Sequence, residues 1–335
     1  MNHYDRYMAT LRGEPVDFLP RLPILMQFAA EYIGSNYGEF AGDYRVLVEA
    51  NLRCIEDFDF EQASAISDPY RETQGFGAEI VYVTDGVPRC PNPPLAETKD
   101  LSALAAPEPL SSERMLDRIN ALTAFGEEVG GRYSIMGWIE GPAAEAADLR
   151  GVTNFLMDLM TDEPFTVDLM DRCVEVGVAF ARAQLEAGAD TIGIGDAIVS
   201  QISPAVYEKL IQPRQQLLVD AIHEAGGLVR LHICGNITHL LPGIARLGVD
   251  ILDFDHMVDA RTVREAVGPD TVVAGNIDPA GAVKGGKPEA ITRYEQDVYA
   301  AVGNPFMVTA GCEVPSGTPN ENLKALCEPI PYQRS

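Results

Sequence analysis

No apolar run in this sequence approaches the roughly 18–20 residues that a bilayer-crossing helix requires. The first residues, Met1-Asn2-His3-Tyr4-Asp5-Arg6, form neither a basic nor an apolar leader region, so a cytoplasmic location is expected. Positive charge is scarce: 25 Lys and Arg stand against 50 Asp and Glu, for a formal net charge of −25. Such a balance argues against nucleic acid and anionic membranes as partners. Cysteine is sparse as well, six residues with no dense spacing, which argues against a disulfide framework in a chain this long. Most of the six are expected to pack as small core residues. A Cys-x₂-Cys pair is missing, and so is a Gly-rich phosphate loop after the first strand.

What the chain does have is a regular alternation of short apolar runs and longer helical patterns. Strands are expected at Leu22–Met26, Gln62–Ser67, Tyr133–Trp138, Asp190–Asp196, Leu228–Cys234, Ile251–Asp255, Thr271–Asn276 and Phe306–Cys312. Helices are expected around Tyr44–Phe58 and Ser111–Val129, then from Ala143 to Glu186 with a break at Pro164. Another should start at Ser203 as N-cap with Pro204 in its first turn. Ile80–Val83 and the Asp85-Gly86 turn read as an inserted hairpin, and the proline-rich stretch Cys90–Pro109 as an extended loop. Eight strands, each followed by a helix, predict a single (β/α)8 TIM-barrel domain over residues 1–335. It carries an N-terminal extension and the insertion after strand two.

In such a barrel the C-terminal strand ends build the active site. Here Asp68 follows strand two, Glu140 strand three, Asp196 strand four, and His232 with Cys234 strand five. Asp255 or His256 ends strand six, Asn276 and Asp278 strand seven, Cys312 and Glu313 strand eight. A lone Asp at such a place serves as a helix N-cap as readily as a catalytic group. Polar residues at seven ends of eight point to a shared pocket.

His232-Ile233-Cys234 is the sharpest element. Residues i and i+2 of a strand face the same way, so imidazole and thiol share a direction. With Cys312 they make a donor set of the right softness for zinc, leaving a fourth position open to substrate. On spacing alone, a core cysteine beside a hydrogen-bonded histidine explains the pattern equally well.

His232-Ile233-Cys234-Gly235-Asn236, Gly275-Asn276-Ile277-Asp278-Pro279 and Ala310-Gly311-Cys312-Glu313-Val314-Pro315 occur in that order, followed by Thr318-Pro319-Asn320-Glu321-Asn322-Leu323. Gly13-Glu14-Pro15-Val16-Asp17, Gly141-Pro142 and Asp196 before Ile202-Ser203-Pro204 add to the set. Together they resemble the uroporphyrinogen decarboxylase superfamily, and more narrowly its zinc-dependent, corrinoid-linked methyltransferase branch. The resemblance spans roughly residues 10–328 and is strongest from Asp196 onward. It implies zinc on His232, Cys234 and Cys312, with Asp255 as a fourth ligand ahead of Asp253.

The resemblance also implies a corrinoid carried by a separate protein, since no Asp-x-His-x-x-Gly pattern for holding one is found. Asp68, Glu140 and Asp196 are then expected to act in catalysis, and Asn276, Asp278, Glu313, Trp138 and Tyr70 to contact substrate. For the aromatics, with Phe28 and Tyr32, core packing is the commoner role.

The chain departs from the decarboxylases after strand one. An arginine-bearing segment there grips substrate carboxylates; here Met26-Gln27-Phe28-Ala29-Ala30-Glu31-Tyr32 has no arginine. Asp68 does match the decarboxylases' essential aspartate, which keeps a carboxy-lyase as an alternative. Where the thiol-methylating relatives often read Gly-Pro-Phe-Thr, this chain reads Gly141-Pro142-Ala143-Ala144. That favours removal of a methyl group from a methoxylated aromatic over methylation of a thiol. A non-enzymatic binding barrel would have no use for two thiols at a pocket.

Overall fold

The computed structural model describes residues 1–334. Seven strands pair in parallel and in sequence order: β1 (Gln62–Ser64), β2 (Ser134–Glu140), β3 (Thr191–Gly195), β4 (Leu228–Ile233), β5 (Ile251–Phe254), β6 (Val272–Ala274) and β7 (Phe306–Met307). Every strand residue from β1 to β7 is buried except Glu140 and Leu228, which are partly so. That is the pattern of a parallel sheet covered on both faces, and it explains the continuous Val/Ile/Leu runs.

The expected first strand is corrected. Leu22–Met26 forms no ladder, and Met26 already serves as N-cap of the helix Gln27–Tyr32. Pro20 and Pro23 each lack a backbone donor, and only an isolated parallel bridge forms between Arg21 and Val308. The segment still touches both edges of the sheet. Leu22 N–H donates to the Val308 carbonyl (2.8 Å), and the Arg21 carbonyl accepts from Glu61 N–H (3.0 Å). The last strand is shorter than expected too, continuing past Met307 as a bridge between Ala310 and Ile277. The inserted hairpin reduces to one antiparallel bridge, Val81 with Arg89.

The helix Tyr44–Phe58 lies where expected, with the Asp43 carboxylate accepting from Arg45 N–H as its cap. The long helical stretch breaks at Gly151 and Asp162, giving Pro142–Arg150, Val152–Thr161 and Glu163–Glu186. Pro164 therefore sits in a first turn, where its missing N–H is harmless, rather than at a break. Ser203 holds the N-cap position before Pro204, but its hydroxyl makes no capping bond.

The N-terminal helix His3–Leu11 closes the end of the sheet where the strands begin. Tyr7 is fully buried there, its hydroxyl 2.7 Å from Thr191 Oγ1. The opposite end, where the strands finish, carries the polar residues singled out above.

Candidate metal centre

Strand register puts the key side chains on one level. Glu140 pairs with Gly195, Gly195 with His232, and His232 with Asp253. Paired residues of adjacent parallel strands face the same side. Because β3 offers only glycines at this level, the indole of Trp138 fills the space beside it. A Cβ on Gly193 or Gly195 would come within 2.3 or 2.6 Å of that ring. The ring lies 6.2 Å from the imidazole of His232, and its N–H donates to Glu140 Oε1 at 2.9 Å.

His232, Cys234 and Cys312 bring one donor atom each to within 4.8 Å of one another. His232 Nε2 is 3.1 Å from the Cys234 sulfur, which is 3.3 Å from that of Cys312. Two glycines make this convergence possible. Gly235 turns at φ +87° directly after Cys234, and its N–H donates to Asp255 Oδ2 at 2.8 Å. At Gly311 a Cβ would lie 2.6 Å from the backbone nitrogen of His256, so only glycine lets Cys312 approach from the last strand.

Behind the imidazole stands Asp253, fully buried, with Oδ2 at 3.4 Å from His232 Nδ1 and 3.0 Å from Arg230 Nε. Nδ1 itself makes no well-formed hydrogen bond, leaving the ring aimed but loosely held. Burial alone would lower the basicity of His232; the Asp253 carboxylate more than reverses this and lifts it to about 10. Hydrogen bonding from Cys234, then His232, drops the Cys312 thiol to about 4, while Cys234 is raised, chiefly by its bond to Cys312. One imidazole and two sulfurs, with a carboxylate behind the ring, is a donor set that suits zinc. The other four cysteines are free, three of them buried.

The remaining strand-end residues divide into two groups. Asp255 stands outside the three-residue donor group. Its Oδ2 accepts from Gly235 N–H, while Oδ1 accepts from Met257 N–H (3.0 Å) and meets His256 Nδ1 at 2.7 Å. Asn276 donates to the carbonyls of Val258 (2.8 Å) and Asp255 (3.3 Å), and so fastens the same loop. Asp278 caps the turn that follows it through Ala280 and Gly281 N–H. Glu313 caps the helix Gln27–Tyr32 through Gln27 N–H at 2.9 Å, and burial pushes its carboxyl up to about 7. Asp196 is fully buried, accepts from Ala144 N–H and Gln215 Nε2 at 2.8 Å, and is likewise raised by burial to about 7. It ties the end of β3 to the start of the helix after β2. Asp68 accepts from the Ser67 hydroxyl and Tyr70 N–H, with Arg114 at 3.5 Å and Arg71 at 3.8 Å.

Glu140, Trp138 and Tyr70 form the second group, which meets His232 only at the Trp138 ring. Three further carboxyls join them: Glu72, Glu145 and Asp148. These were not singled out in the sequence, although Glu145 and Asp148 stand three apart on one face of a helix.

Residues 2–330 match the family model described as uroporphyrinogen decarboxylase (URO-D). A methylcobamide:CoM methyltransferase, MtbA of Methanosarcina mazei, is 29% identical over 97% of this chain and 96% of its own length. The MtaA methylcobamide:CoM methyltransferase of Methanosarcina barkeri is 27% identical over 96% and 95%. A solved structure described as a methyltransferase from Methanosarcina mazei superposes with a TM-score of 0.89 at 25% identity, covering 97% of both chains. With the whole length matched in sequence and in fold, the chain belongs to the uroporphyrinogen decarboxylase family, on its corrinoid-dependent methyltransferase branch.

Proposed function

We propose that the chain moves a methyl group between a small substrate and the cobalt of a corrinoid held by a separate protein, with zinc on His232, Cys234 and Cys312. The observation that carries this is the convergence of three zinc-type donors from β4 and the segment after β7. Bound there, zinc supplies a Lewis acid with one position for a substrate heteroatom. Asp253 aims the imidazole through its Nδ1 side, and Arg230 keeps that carboxylate ionised. Gly235, Asp255 and Asn276 hold the loop beside Cys234. The extended segment Pro20–Ile24 then acts as the eighth stave of a closed (β/α)8 barrel whose mouth receives the corrinoid partner.

The favoured substrate is a methoxylated aromatic. In that direction the partner's reduced corrinoid would supply the electron pair that takes the methyl group, and the pair of the broken carbon–oxygen bond would stay on the substrate oxygen. Trp138, with its ring 6.2 Å from the His232 imidazole, supports an aromatic ligand. A thiol acceptor taking its methyl group from the corrinoid is the second reading, favoured by the names of the relatives above. A carboxy-lyase fits the mouth poorly. Arg71 and Arg114 are engaged by Asp68, Asp117 and backbone carbonyls, and Arg118 by backbone and Ser67, leaving little to grip an acidic substrate.

Metal analysis of purified protein is the first test, with about one zinc per chain expected and most of it lost in Cys312→Ala. Full methyl transfer by metal-free protein would sink the reading. For direction, cob(I)alamin is incubated with a panel of methoxyarenes and followed for methylcobalamin. Turnover of a thiol with methylcobalamin, and of no methyl ether, would select the second reading.

A further inference from the structure

The carboxyls beside Trp138 have no cation that answers them. Glu140 ends β2, Glu72 belongs to the helix Arg71–Gly75, and Glu145 and Asp148 lie on the helix Pro142–Arg150. Burial first, then Glu72 and Asp148, holds Glu140 well above the usual carboxylate range, and the same causes act on Glu145. Asp148 is pushed up to about 8 by burial, with Glu72 and Asp68 adding to it. Arg118 bears on Glu72 and Glu140 from a distance, but it donates only to the carbonyls of Ala65, Trp138 and Asp68 and to the Ser67 hydroxyl.

The hydrogen bonds that do exist leave acceptors over. Thr73 donates to Glu145, Trp138 to Glu140 Oε1, and Glu140 N–H to Glu72 Oε1. Glu72 is 2% exposed and its Oε2 has no partner, while its charge bears on Glu140, Glu145 and Asp148. A buried acceptor left unpaired is costly to keep, unless something from outside completes it. Asp148, half-buried, has no hydrogen-bond donor acting on it either.

The spacing of the wall limits what can complete it. Among the described residues, only His232, Cys234 and Cys312 form a group of three whose ligand atoms all lie within 4.8 Å of one another. The four carboxyls therefore do not form a cage for a bare metal ion, and a larger organic cation suits them better. Two aromatic rings stand beside them. Trp138 is hydrogen-bonded to Glu140, and Tyr70 is half-buried with Asp148 and Glu140 acting on its hydroxyl. Rings beside carboxylates are the surroundings in which an ammonium ion is held.

We propose that Glu72, Glu140 and Asp148, with Tyr70 and Trp138, form a subsite for an ammonium group on the small-molecule substrate. The charged arm sits across the indole from the zinc donors, with the reacting methyl group on the His232 side. Glu145, held by Thr73, adds negative potential from behind. The inference rests on the methyl-transfer reading for what happens at the donors, and gives it a substrate class: amine-bearing methoxyarenes ahead of neutral ones, with anionic ones last. A carboxyl that keeps its proton when the subsite is empty loses it to solvent as an ammonium ion arrives to pair with the carboxylate, so binding releases protons.

Trp138 is the chain's single tryptophan, so its fluorescence reports on this subsite. Zinc-loaded protein is titrated at neutral pH with 3-methoxybenzylamine, 3-methoxybenzyl alcohol and 3-methoxybenzoate. The amine is expected to bind about tenfold tighter than the alcohol, and the benzoate more weakly than either. Asp148→Asn and Glu140→Gln should each close most of the gap between amine and alcohol. Glutamine at 140 keeps an oxygen for the indole N–H. Without any variant, calorimetry in two buffers of different ionisation enthalpy should show proton release with the amine and none with the alcohol.

Equal affinities for the three ligands, tightest binding of the benzoate, or an amine preference surviving both substitutions would overturn the subsite. Binding requires no methyl transfer. An amine preference therefore stands even if cobalt is never methylated. Turnover of neutral methoxyarenes without amine preference would keep the methyl-transfer reading and remove the subsite.

Discussion

At the scale of single residues, the centre depends on what stands behind His232. Asp253 is fully buried between the imidazole and Arg230, so it both aims a ligand and neutralises a cation. Asp253→Asn keeps the shape and removes the charge. Zinc affinity should fall about 10–100-fold, as for other residues that orient a metal-binding histidine. Competition with a chromophoric chelator measures it, and an unchanged affinity would show that Asp253 serves Arg230 alone. The variant should also lose about 3–5 kcal/mol of stability, because a buried guanidinium loses its counterion. His232 and Cys234 were legible from their i, i+2 spacing, which strand geometry converts into a shared direction. Asp253 was visible only as a second choice of ligand, since its work depends on pairing across strands. Asp196, Asn276, Asp278 and Glu313 stand at the expected strand ends, and each makes hydrogen bonds that hold backbone. A strand-end carboxylate reads the same whether it meets a substrate or a helix N-terminus.

At the scale of elements, β3 decides the shape of the mouth. Thr191-Ile192-Gly193-Ile194-Gly195 alternates buried isoleucine with glycine, so one face packs against helices while the other leaves a notch for Trp138. Gly193→Ala puts a methyl group 2.3 Å from the indole and forces the ring to move. About 1–3 kcal/mol should be lost through overpacking. The tryptophan emission should shift in the folded protein, because its bond to Glu140 is strained. Unchanged emission and stability would mean the notch has slack. The strand itself was readable as an apolar run between turn signals; the notch was not, since a glycine in a strand says only that something approaches closely. The missing first strand has the opposite origin. Leu22–Met26 is apolar enough, but Pro20 and Pro23 deny it a ladder, and helix formation at Gln27 ends it early.

For the whole molecule, the decisive quantity is the number of acidic groups that stay protonated in the fold. Asp196 and Glu313 are raised to about 7 and Asp148 to about 8, each mainly by burial. Unfolded carboxyls titrate near pH 4, so between about pH 4 and pH 8 the folded chain holds protons that the unfolded chain has released. Stability then falls as pH rises, fully present below the unfolded value and lost through the folded ones. Asp68, lowered by arginine neighbours, and Glu61, lowered by its bond with His3 and then by Arg21, act in the opposite sense and cost stability only as pH drops below about 4. The two trends place maximal stability at mildly acidic pH, near about pH 5. The net charge of −25 adds self-repulsion as the buried groups ionise, so moderate salt should recover part of the loss at the alkaline end. Zinc binding at the proposed centre would carry a pH dependence in the other direction, because the thiols must lose protons, so saturating zinc keeps it from masking the carboxyls. Calorimetry of the zinc-saturated protein should show Tm falling on the order of 5 °C between pH 6 and pH 8. Asp148→Asn should flatten that slope, since an amide carries no proton to lose. A Tm that rises over the same interval would mean that the buried carboxyls are already ionised in the folded chain.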